Sequence, residues 1–155
     1  MKCLERFDNI PTNVRHHSIV GVGNYSEYDG LHEGGTDAKA LSIGISQWKH
    51  VDEDGVEEIS AKVFRYNGKR WSRQSEELPL HRCFDLCILI VQALQRSTNG
   101  DFFKTGEKCI KPHVVNDKEL KLIKRFYDKY KDDYLIEKMN ELKDLLELFL
   151  ISSER

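Results

Sequence analysis

The sequence predicts an α+β fold: a small antiparallel sheet, a buried central helix and a C-terminal helical pair. Three observations carry this. Leu41, Ile43 and Ile45 alternate with Ser42, Gly44 and Ser46, which is the period of a strand. Ile59 to Tyr66 is rich in strand formers and runs into Asn67-Gly68, a dipeptide suited to a type I′ turn, where both positions need φ > 0. Beyond Pro79, apolar residues at 80, 83, 84, 86–91, 93 and 94 describe a helix that is apolar nearly all round.

In chain order, residues 1–17 read as irregular, with Pro11 and the pair His16-His17. Ser18 to Val22 is a short first strand. Gly23 to Thr36 is a turn-rich loop holding four of the ten glycines. Ala40 to Trp48 is a half-buried strand, and Asp52-Glu53-Asp54-Gly55 a solvated turn before the strand at 59–66. A two-residue loop at Asn67-Gly68 pairs Tyr66 with Lys69, Arg65 with Arg70 and Phe64 with Trp71, and makes Lys69 to Arg73 the returning strand. Pro79 suits the first turn of a central helix spanning about 79–96. Residues 97–115 read as a loop or mixed region. Asn116 and Glu119 have capping-box spacing. Leu120, Ile123, Phe126, Tyr127 and Tyr130 form one helical stripe; Leu135, Met139, Leu142, Leu145, Leu146, Phe149 and Leu150 form another. These two helices read as an antiparallel hairpin over about 116–152, packed on a sheet and central helix at about 14–96, all in one domain of 1–155.

Composition narrows the function classes. Charged residues make up 32% of the 155 and the net charge is −2, so the chain lacks the basic footprint of a general nucleic-acid or membrane-surface binder. The charge is uneven: residues 1–60 hold five Lys and Arg against eleven Asp and Glu, whereas 61–82 hold six against two. Cys3, Cys83, Cys87 and Cys109 form no C-x-x-C pair, and Cys83 and Cys87 read as small hydrophobes on one helix face. No apolar leader precedes Asn13 and no apolar run is long enough to span a membrane, so the expected compartment is the cytoplasm.

Three constellations could carry chemistry. In the expected hairpin Arg65 faces Arg70, an unfavourable pairing that an internal carboxylate, a ligand anion or splaying into water would relieve. Ser72 to Glu77, followed by His81 and Arg82, sets a dense polar run at the start of the central helix, where backbone N–H groups favour anions. There Glu76 or Glu77 with His81 could act as an acid–base pair, or the glutamates could simply cap the helix and pair with Arg73 or Arg82. Finally, His32 and Asp37 flank Gly34-Gly35 in a loop that could hold a cation or, through its backbone, an anion, although a plain glycine-rich loop suffices. Gly21 to Ser26 fails the dinucleotide fingerprint, and there is no Walker loop or G-x-S-x-G elbow.

The stretches Thr36 to Gly44 with Gln47-Trp48, Ile59 to Arg65, and above all Trp71-Ser72-Arg73-Gln74-Ser75-Glu76-Glu77-Leu78-Pro79-Leu80-His81-Arg82, resemble a family of small uncharacterised microbial proteins, a domain of unknown function. The resemblance covers roughly 14–95 and implies no activity.

The leading expectation is a small intracellular protein that binds a small anionic ligand, a nucleotide or another phosphorylated metabolite, through Lys39, Arg65, Arg70, Arg73, Gln74, His81 and Arg82. One alternative is a hydrolase or transferase using Glu76, Glu77 and His81, with metal help near His32 and Asp37. The other is a protein-interaction module or homo-oligomer that meets its partner through the hairpin or the C-terminal helices. The sequence leaves the identity of any cofactor open.

Overall fold

A computed structural model describes residues 10–12, 14–29, 32–66, 68–71 and 80–153. The strands are β1 (His17–Val22), β2 (Ala38–Ile45), β3 (Ile59–Arg65) and β4 (His113–Val114), and the helices are α1 (Leu80–Asn99), α2 (Leu120–Tyr130) and α3 (Ile136–Ser153). Among the described residues the strands form one antiparallel sheet in the order β3-β2-β1-β4.

One face of the sheet packs on the helices. Ile19, Leu41 and Ile43 meet Leu89 and Ala93 of α1, Leu120 and Ile123 of α2, and Ile110. This is the apolar half of the alternation read from the sequence. The Ser/Gly half, expected to face water, is buried as well: Ser42 and Ser46 are fully enclosed. Its small residues leave room for Ile10, Val14 and Trp71, which pack with Ala40 and Phe64. β1 also bulges between Ser18 and Val20, which lays its backbone on Gly44 so closely that a Cβ there would overlap the His17 carbonyl.

The turn after β3 differs from the expected register. The described pairing is Tyr66 with Trp71, so a two-residue loop is ruled out, and residues 69 and 70 bend instead of returning as a strand. Gly68 does take the positive φ expected of it, 94°, while Asn67 lies outside the described residues. Trp71 still reaches Phe64, edge to face at 5.7 Å, because Phe64 and Tyr66 share a face two residues apart. The shift removes the Arg65–Arg70 opposition.

α1 is buried on one side only. Leu89 and Ala93 are enclosed, and buried Gln92 bonds both backbone groups of Phe103, but Leu80, Phe84, Ile88 and Val91 face outward. The C-terminal helices do not make the expected hairpin. A hairpin needs a reversing loop, yet every residue from Leu120 to Ser153 is helical, with a π turn at Lys131–Leu135 joining α2 to α3. The expected capping box is also replaced: the Asn116 side chain donates to the Glu119 carboxylate, which His17 Nε2 meets as well at 2.6 Å. No helix among the described residues is long and apolar enough to cross a membrane.

Candidate functional site

The charged groups at the start of α1 converge on Asp29. A short 3-10 turn, Tyr25–Glu27, brings this carboxylate under the helix, where it is fully buried. Arg82 donates to it twice, from Nε at 3.2 Å and Nη2 at 2.7 Å, and His81 Nε2 lies 2.8 Å away. One turn further along α1, Asp85 accepts the hydroxyl of buried Tyr25 at 2.6 Å. The His32 ring lies 6.3 Å from that of His81.

The two carboxylates are tuned in opposite directions. Burial alone would raise the Asp29 pKa, but hydrogen bonds from Arg82, His81 and Thr36, with the Arg82 charge, hold it below the ordinary value. Burial raises Asp85, assisted by the charge of Asp29 and opposed by the Tyr25 hydroxyl and His81. Tyr25 is itself raised, by burial and then by its bond to Asp85. The result is an ionised carboxylate that orients a histidine, with a carboxyl more readily protonated beside it. That separation suits acid–base work. His81 reaches solvent, its side chain 31% exposed.

The structure therefore unites His81, Arg82 and His32 and adds Asp29, Asp85 and Tyr25. Arg65 is elsewhere: its Nη1 donates to Asp37 at 2.7 Å, so an internal carboxylate meets the charge that the sequence left unmatched. Asp37 is thereby separated from His32 in role, and no group of three or more His, Cys, Asp or Glu side chains among the described residues could hold a metal. Lys39 lies half-buried on β2, and Arg70 is exposed in the turn. Arg73, Gln74, Glu76 and Glu77 lie outside the described residues.

The adjacent histidines at 16 and 17 point apart, as neighbours on a strand do. His16 is enclosed between Ser42 Oγ, at 2.8 Å from Nε2, and Ser60 Oγ, at 3.4 Å from Nδ1. His17 opens on a cleft of about 370 Å³ lined also by Lys49, His50, Glu57 and Glu119.

These features define an α+β protein with a four-stranded antiparallel sheet and a carboxylate–histidine–arginine cluster at the head of its long helix. The chain belongs to a family of unknown function, DUF6530, which matches residues 8–111. The match takes in β1 to β3 and α1 and stops before β4 and α2. Comparison with curated proteins found no match. Comparison with solved structures found none either.

Proposed function

We propose that this protein is a protein-interaction module that presents α3 and the outer face of α1 to a partner. One observation carries the reading. On α3, Leu142, Leu145, Leu146, Leu148, Phe149, Leu150 and Ile151 are 37–67% exposed. Large contiguous apolar surface of this kind marks interaction sites, because leaving it in water forfeits the free energy of its burial. The unpaired thiols of Cys83, Cys87 and Cys109 fit a reducing cytoplasm.

The test is a photo-crosslinking amino acid placed at Phe149 in the full chain within cells. A discrete adduct that is missing when the same group sits at Asp144, among the charged positions of α3, supports the reading. Equal, diffuse labelling at both positions refutes it.

A second reading keeps the α1 N-terminus as a site for a small anion, or for hydrolase or transferase chemistry. It is favoured by the solvent-reaching His81 held on buried Asp29. Arg82 is committed to Asp29, so an anion would meet His81. Ligand binding raises stability by RT ln(1 + [L]/Kd), about 2.7 kcal/mol at a hundredfold excess over Kd. A thermal-shift screen over nucleotides and phosphates should then show a rise that His81→Gln removes. A flat screen ends this reading.

A further inference from the structure

We propose that the partner is a second copy of this chain, with α3 of each copy lying along the outer face of α1 of the other. This rests on the interaction reading above and assigns its partner.

The chain carries two apolar helix faces. On α1 the exposed residues from Leu80 to Val91 are Leu80, Cys83, Phe84, Cys87, Ile88 and Val91, at i, i+3/4, i+7/8 and i+11, with no charge among them. On α3 the apolar surface runs from Leu142 to Ile151. At 1.5 Å rise per residue each is roughly 15 Å long. α3 makes its substantial contacts with the π turn that precedes it, and none on that scale with α1 or the sheet. The continuous helix from Leu120 carries it onward instead of folding it back.

The spacing on α3 specifies a helix as its partner. Leu135, Met139, Leu142, Leu146 and Phe149 alternate by four and three, the 3.5-residue seam of helix-on-helix packing. Pairing α3 with its own copy in parallel would set Lys138 and Lys143, which flank that seam, against each other, and would leave α1 uncovered. The uncharged α1 face has neither fault. One contact made twice about a two-fold axis covers both surfaces and closes the assembly.

The area suffices. A leucine-sized side chain presents on the order of 100 Å² of apolar surface, judged from its burial free energy at 25 cal/mol per Å². On the seam side of α3, Leu142, Leu145, Leu146, Phe149 and Leu150, with four such residues on α1, are roughly half exposed. Together with Cys83 and Cys87 they open about 500 Å² per copy and so about 1,000 Å² for a pair, which reaches the ~1,000 Å² expected of a specific interface.

The experiment is sedimentation equilibrium on the purified full chain, with Phe84→Glu and Phe149→Glu as separate variants. Both positions are more than half exposed, so each variant should fold, as an unchanged far-UV spectrum would verify. The expected result is a species of twice the chain mass that either variant alone reduces to the monomer. Cys83 and Cys87 should alkylate at least tenfold faster in the variants than in the dimer. With Phe149→Cys, a short bismaleimide should link position 149 to Cys83 or Cys87 between isotopically distinct copies. A wild-type chain that stays monomeric at 100 μM overturns the second copy as partner. The interaction reading would then survive only if the cellular adduct at Phe149 has a mass other than twice the chain. A dimer indifferent to Phe84→Glu, or linked only 149 to 149, overturns the α3-on-α1 arrangement.

Discussion

Protonating His16 should remove about 3 kcal/mol of stability, and the whole effect should fall between pH 6.5 and 4. The ring is 1% exposed and neutral, bonded to Ser42 through Nε2 and to Ser60 through Nδ1. Burial, reinforced by the charges of Lys62, Lys49 and His17, lowers its pKa from 6.5 to about 4. In that interval the unfolded chain binds a proton that the folded chain refuses, so stability rises with pH. The contribution is complete above pH 6.5 and is lost as pH falls toward 4. At 1.36 kcal/mol per pKa unit, the shift is worth about 3 kcal/mol, against total stabilities of about 5–15 kcal/mol for proteins of this kind.

Urea unfolding at pH 7, 6, 5 and 4, at one protein concentration, reads this directly. The comparison is with His16→Gln, which has no titrating ring. At pH 7 the variant should be weaker by about 1–3 kcal/mol, because Ser42 and Ser60 lose a well-placed partner inside the fold. By pH 4 the wild type should have lost its advantage. Asp29, with its lowered pKa, loses its contribution only as pH falls below the ordinary carboxylate value of 3.8. Asp85, with its raised pKa, acts in the opposite sense. Both are common to the two proteins and cancel in the difference. Parallel stability curves from pH 7 to 4 would refute the assignment of a buried, neutral imidazole.

Four further substitutions test the packing. Asp29→Asn leaves Arg82 buried and charged without its carboxylate, and should cost about 3–5 kcal/mol, read as a lower urea midpoint at unchanged slope. Gly44→Ala drives a methyl into the His17 carbonyl and should cost about 1–3 kcal/mol, or shift the β1 bulge in a way that amide exchange would report. Phe64→Ala should cost about 3–5 kcal/mol; because Phe64 touches Trp71, the double variant with Trp71→Ala should fall short of the sum of the two singles.

The strands at 40–45 and 59–65 were legible because their signal is local. The register after β3 was not, because Asn67-Gly68 favours a two-residue turn while the structure pairs Tyr66 with Trp71. The burial of Ser42 and Gly44 in β2 was not legible for a related reason. Alternation reports which positions are small, and small residues serve a close-packed backbone as well as they serve water. Asp29 stands alone between Tyr28 and Gly30 and has no motif to betray it. One signal could still have found it: the first sixty residues are acidic and the next twenty-two basic. Asp29 meeting Arg82 and Asp37 meeting Arg65 are that imbalance resolved within the chain. An excess of arginine that suggested a ligand anion was matched by carboxylates some thirty to fifty residues upstream.

The family match ends at residue 111, yet the core does not. Leu120 and Ile123 of α2 are buried against α1 and the sheet, and full burial of two such side chains is worth about 3–6 kcal/mol. α2 also fastens the turn between β2 and β3. Tyr130 donates to Asp52 at 2.6 Å, Arg125 donates to the Asp54 carbonyl at 2.8 Å, and Lys129 pairs with Asp54. α3 encloses none of its own residues. A chain ending after Leu135 should therefore unfold in urea with the midpoint of the monomeric full-length protein, having lost helix content and self-association only. A chain ending after Val115 should lose an amount comparable to the whole stability of a marginal fold and give no cooperative transition. If the chain ending at Val115 instead unfolds cooperatively near the full-length midpoint, the sheet and α1 are self-sufficient and α2 is not part of their core. If removing α3 alone abolishes the transition, its apolar face is covered within its own chain in solution, and the case for a partner fails with it.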